Sequence, residues 1–144
     1  MPRRLPPGLL VALALTSCAH LPATRPTLAG RWAPQSAELG GQVFPVANFG
    51  GATLRLTAGT YEFAGDKGTY ALVSTSPPAR MDIRGREGPN AGRTIQAIYR
   101  LAGDSLTVCY QLGPGARPSD FTSAGGSQVL LVRYQRVQGA QGAR

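Results

Sequence analysis

The side chains able to do chemistry are few. The chain has two cysteines, Cys18 and Cys109, and one histidine, His20. Nucleophilic catalysis needs a nucleophile beside a base, and no histidine follows His20. The carboxylates Asp82, Glu87, Asp104 and Asp120 lie close to glycine, arginine or turn residues, where an acidic side chain ordinarily caps loop amides. No spacing among them singles out a pair for acid–base work. His20 has no second ligand near it and so makes no metal site. Gly85 to Gly92, GREGPNAG, has the glycines of a phosphate cradle without the strand-loop-helix context. These residues supply no catalytic set, no metal site and no cofactor site, and the chain reads as a non-enzyme.

Cys18 is different, because its neighbours give it a context. Arg3 and Arg4 form a short basic start, and Leu9 to Leu15, LLVALAL, is a compact apolar run. It is far shorter than the roughly 20 residues a bilayer span requires, and it has the length of a signal-peptide core. Leu15-Thr16-Ser17-Cys18 follows at once, and it resembles the lipobox of bacterial lipoproteins. The resemblance implies diacylglyceryl transfer to the Cys18 sulfur, cleavage just before it and acylation of the new amino terminus. Each acyl methylene buried contributes about 0.8 kcal/mol, so two or three chains anchor a protein durably. Ala19, rather than Asp, resembles lipoproteins sent on to the outer membrane. The expectation is therefore a signal peptide over 1–17, then a lipidated Cys18 with a flexible tether over 18–28, on a protein facing the periplasm or the surface. A plain secretory signal with an incidental cysteine is the alternative. With Cys18 lipidated, Cys109 has no disulfide partner and reads as a small, buried strand residue.

The formal charge is +8, carried almost wholly by arginine. A basic surface can favour anionic partners, but no run of like charges marks a patch, so the arginines read as a solvating surface. The chain is not expected to bind nucleic acid.

The elements that must position any site are short strands. Glycine (19) and proline (12) are frequent and punctuate short apolar runs, which favours an all-β domain. Arg93 to Leu112 carries the strongest signal. Ile95, Ala97, Tyr99 and Leu101 alternate with polar residues, Ala102-Gly103-Asp104 turns the chain, and Leu106, Val108, Tyr110 and Leu112 alternate again. This is the pattern of a half-buried antiparallel hairpin, with Cys109 on its outer face. Further strands are expected at Trp32 to Ala37, at Val43, Phe44 and Val46 with a bend at Pro45, and at Thr53 to Thr57. Tyr61 to Phe63, Gly68 to Val73 and Met81 to Ile83 follow. In Val129 to Tyr134 the consecutive apolar residues predict burial on both faces near a closing seam. Eight or nine strands with regular turn signals predict a single antiparallel up-and-down barrel over 29–137, with a disordered tail over 138–144.

Gly30-Arg31-Trp32 resembles the lipocalin and calycin signature, in which the tryptophan closes the narrow end of such a barrel. Longer pieces resemble the small lipocalin-like bacterial domain family of Planctomycetes type. They include Gly68-Thr69-Tyr70, the run from Glu87 to Thr94, Ile98 to Cys109, Arg117-Pro118-Ser119-Asp120-Phe121 and Gly126 to Val132. The likeness covers roughly 28 to 137. It departs at Arg100, where the family pattern usually has an acidic residue. It implies a lipocalin-like barrel, and no activity comes with it.

Two candidate sites remain. Trp32, Tyr61, Phe63, Tyr70, Tyr99 and Tyr110 are expected inside the barrel, where they either line a small amphipathic cavity or fill the interior. In the loop after the hairpin, Arg117 and Asp120 are placed to pair and hold Phe121 over the barrel end, as a lid or as simple closure. The expected function is a lipid-anchored envelope protein whose barrel binds a small apolar molecule or an envelope component. The alternative is a solid structural or interaction module.

Overall fold

A computed structural model describes residues 27–138. The expected signal peptide, Cys18, His20, most of the tether and the tail beyond residue 138 lie outside the described residues. The strands are β1 (Gly30–Leu39), β2 (Gln42–Val43), β3 (Leu54–Leu56), β4 (Thr60–Phe63), β5 (Asp66–Ser74), β6 (Ala79–Glu87), β7 (Thr94–Ala102), β8 (Ser105–Gln111) and β9 (Val129–Arg136). From β3 to β9 each strand pairs antiparallel with the next. Strand β1 joins both ends, pairing β3 through Gly30 to Trp32 and β9 along almost its whole length. Eight strands thus close into an up-and-down barrel, the lipocalin-like architecture expected. Closure pairs every wall strand on both sides and leaves no strand of the ring as a free edge. The short β2 folds back on the far end of β1 and stays outside the ring.

Alternation decides which side chains point in. Leu54 and Leu56, Met81 and Ile83, Ile95, Ala97 and Tyr99, Leu106 and Val108, and Val132 and Tyr134 are buried in one interior cluster. Ile98, Cys109, Val129 and Leu131 form a second buried cluster on the outside of the wall. The apolar run of β9 is therefore buried on both faces at the seam with β1, as its sequence predicts. Pro34 sits within β1 at a register shift between Pro34 and Ser36, where the missing N–H disrupts the ladder least.

Two local expectations are corrected. Val46 does not continue a strand: Val46–Phe49 is a 3-10 turn, started after Pro45 and ended at Gly50 in the left-handed region. Met81 to Ile83 is the middle of a nine-residue strand, since β6 runs on through Gly85 to Glu87. Gly85 allows this because its missing side chain leaves space for the Asn90 carbonyl, which would lie 1.9 Å from a Cβ at that position.

The two barrel ends differ. One carries the β3–β4, β5–β6 and β7–β8 turns and is plugged by Trp32, fully buried. The other carries the β1–β2 and β4–β5 turns and the β6–β7 and β8–β9 loops.

Candidate ligand cavity

The closed end is built from Trp32 outward. Its indole Nε1 donates to the Leu28 carbonyl at 2.9 Å, and the Arg136 guanidinium lies 4.3 Å from the ring centroid. Arg136 also donates to the carbonyls of Ala29 and Thr27 and to Asp104. One arginine thus ties the incoming chain, the β7–β8 turn and the tryptophan together. Trp32 is a plug, and it does not line the cavity described next. Tyr99 is buried on the interior side and also stands away from that cavity.

Above the plug the interior is not filled. A void of about 130 Å³ runs towards the open end, with apolar walls from Leu54, Leu56, Ile83, Val108 and Val132. Tyr61, Phe63, Tyr70 and Tyr110, four of the six aromatic residues expected inside, line it. Phe49, Leu112 and Leu130 complete the mouth. Phe49 comes from the 3-10 turn and packs edge-on against Phe63 at 5.3 Å, with Phe44 behind it at 5.2 Å.

Polar groups meet the void in two places. Deep in the wall the hydroxyls of Tyr110 and Tyr134 bond to each other at 2.9 Å. Burial pushes Tyr110 up to about 12 and Tyr134 well above the usual phenol range, so both stay protonated. One proton of this pair closes the mutual bond and leaves the other for a further acceptor. Nearer the mouth, Tyr61 donates to Asp66 at 3.3 Å. Burial, then the charge of Asp66 and that bond, push Tyr61 up to about 12. Asp66 also accepts from the Asn90 backbone N–H at 3.2 Å and from Asn90 Nδ2 at 2.6 Å. This carboxylate therefore latches the β6–β7 loop to the β4–β5 turn beside the opening.

Phe49, Asp66, Asn90 and Tyr134 were not among the expected site residues. Tyr134 was legible, because it shares the inward parity of Val132. Asp66 and Asn90 carried only turn signals, and their meeting depends on the close approach of the two turns at Gly88, where an added Cβ would lie 2.6 Å from the Gly65 carbonyl oxygen.

The loop candidates sit elsewhere. Arg117 pairs with Asp82 at 2.5 Å, not with Asp120, and donates to the carbonyls of Met81 and Ala97 on β6 and β7. Asp120 instead accepts from the Thr122 hydroxyl at 2.5 Å. Phe121 covers the outer cluster of Ile98, Cys109, Val129 and Leu131, with Arg100 4.7 Å above its ring. The β8–β9 loop is thus a strap over the outer wall. It neither plugs nor closes the barrel end, because the apolar outer side chains of β7, β8 and β9 offer it more to bury. Cys109, fully buried beneath it, points its thiol at the Thr122 carbonyl, 3.6 Å away. Burial, with the nearby Asp120 charge, pushes that thiol up to about 11, away from the thiolate that reactivity needs.

Three of the four carboxylates considered for acid–base work are engaged away from the void. Asp82 holds Arg117, Asp104 holds Arg136 and Asp120 holds Thr122. Glu87 is exposed at the end of β6. Comparison with family models, with curated proteins and with solved structures finds no significant match to the chain.

Proposed function

We propose that this chain is a lipid-anchored envelope protein whose lipocalin-like barrel holds one small, mainly apolar molecule. The observation that carries the reading is the void of about 130 Å³ with Tyr61 and Asp66 near its mouth and the Tyr110–Tyr134 pair in its wall. Apolar walls with a few convergent polar groups are what small-molecule sites generally have. A cavity of roughly 150 Å³ is enough to take up benzene in a protein core. The ligand is accordingly about one ring in size; a long acyl chain exceeds it. Binding without chemistry suits a site outside which Asp82, Asp104 and Asp120 each hold a structural partner.

The anchor part of the reading rests on Arg3-Arg4, Leu9 to Leu15 and Thr16-Ser17-Cys18. The likeness to the Planctomycetes-type lipocalin-like family stands beside it as part of the same proposal. A solid structural module is the second reading, and the unfilled interior counts against it.

Mass spectrometry of the protein purified from its own membranes tests both halves. Under denaturing conditions the expected mass lacks residues 1–17 and carries acyl groups on Cys18; an unmodified or uncleaved chain would contradict the anchor. Under native conditions a small additional mass, lost on unfolding, is expected. Consistent recovery of the bare protein, even after incubation with small aromatic compounds, would favour the solid module.

A further inference from the structure

We infer that the cavity selects a small organic cation, an ammonium group carried on a ring or a short alkyl body, over neutral and anionic molecules of the same shape. This rests on the reading of the interior as a ligand site and adds the charge of the ligand to it.

The walls point that way first. Phe49, Phe63, Tyr61, Tyr70, Tyr110 and Tyr134 all line the void. Aromatic faces carry negative quadrupole density and attract a cation held within about 6 Å of a ring centroid, most of all when it is desolvated. An ammonium with an apolar body satisfies both features of such a wall.

The mouth points the same way. Among the described residues Asp66 is the one carboxylate lining the void. Its three hydrogen-bond donors, the Asn90 N–H, Asn90 Nδ2 and the Tyr61 hydroxyl, are all neutral. No lysine or arginine among the described residues lies within ion-pair distance of it. Its neighbour Lys67 is turned to Glu62. A carboxylate held by neutral dipoles has no cationic partner beside the opening.

The third observation is one of sign. The chain carries 15 lysines and arginines against 7 acidic residues, yet no basic side chain among the described residues lines the void. An anion entering it would leave water and find no countercharge. Arg93 is the nearest challenge to this. It stands at the rim, exposed, and donates to Asn90 Oδ1 and to the Leu112 carbonyl. Those two bonds tie it to two residues of the mouth, while its own side chain does not line the void.

Benzylammonium, benzyl alcohol and benzoate share one ring and similar reach and carry charges of one sign, none and the other. Titration of the purified mature protein with each, at near-neutral pH and physiological ionic strength, followed by nuclear magnetic resonance, separates the possibilities. Benzylammonium is expected to bind at least about tenfold more tightly than benzyl alcohol, with benzoate weakest. In Asp66→Asn the preference for the ammonium over the alcohol is expected to collapse to within about threefold. Because that variant disturbs the Asn90 latch, the wild-type series decides the matter if it fails to fold. Equal or tighter binding of the alcohol or of benzoate overturns the charge selection and leaves the ligand site standing. Absence of binding by all three, with the Leu56 and Val108 methyl signals unmoved, overturns both.

Discussion

At the scale of single residues, the tyrosines set how the barrel responds to pH. Burial raises Tyr61, Tyr110 and Tyr134 above their ordinary value, and burial, with Tyr70 nearby, raises Tyr99. An acid whose folded value is raised binds its proton more tightly when folded. Its contribution is fully present below the unfolded value of about 10 and is lost as pH rises through the folded one. Thermal stability should therefore hold steady through neutral pH and fall steeply above pH ~10, by up to about 1.4 kcal/mol per pH unit for each suppressed ionisation. Melting curves across that range check this, and Tyr134→Phe should flatten the decline because it removes one titrating group. An unchanged slope in that variant would mean the buried hydroxyl pair is not what the alkaline transition reads.

At the scale of elements, the β8–β9 loop makes the clearest claim. It adds a patch of core outside the barrel, where Phe121 and Arg100 cover Cys109. Reaction of the Cys109 thiol with an alkylating reagent should be slow in the native protein and require the strap to open. Phe121→Ala should speed it by at least about tenfold, since removing the cover makes opening easier by on the order of 1.4 kcal/mol or more. Fast alkylation of the wild type would show the strap already open. An acidic residue in place of Arg100 would set its charge against the Phe121 ring and forfeit the cation–π contact.

What the sequence made legible follows from the same elements. The hairpin β7–β8 and the seam strand β9 are readable because period-two burial is local, and Val129 to Val132 needs both faces covered. Tyr61, Phe63, Tyr70 and Tyr110 follow from parity alone. The path of the strap was not readable, since Arg117 finds Asp82 thirty-five residues away rather than Asp120 three residues along. The 3-10 turn that brings Phe49 to the mouth was hidden by a run, VFPV, that looks like strand. The Asp66–Asn90 latch was hidden because its two halves come from different turns, whose backbones touch where Gly88 meets Gly65 and Asp66.

At the scale of the whole molecule, the barrel is asymmetric along its axis. One end is fixed by Trp32 and Arg136, which bind the entering chain at Thr27 to Ala29. The other end holds an opening lined by aromatic rings and one carboxylate. In the proposed arrangement the tether joins the closed end, so the mouth lies at the end of the barrel away from the point of attachment. In that arrangement the basic exterior and the cavity, which no basic side chain among the described residues lines, are two separate surfaces.

Everything rests on the interior being an accessible void rather than packed side chains, and xenon reads that directly. Xenon enters dry apolar cavities of this size and shifts the methyl resonances that face it. Under xenon pressure the methyl groups of Leu54, Leu56, Ile83, Val108 and Val132 should move, saturating with a single site. Those of Ile98 and Leu131, in the outer cluster, should not. Shifts confined to the outer cluster, or no saturable shifts at all, would contradict the account.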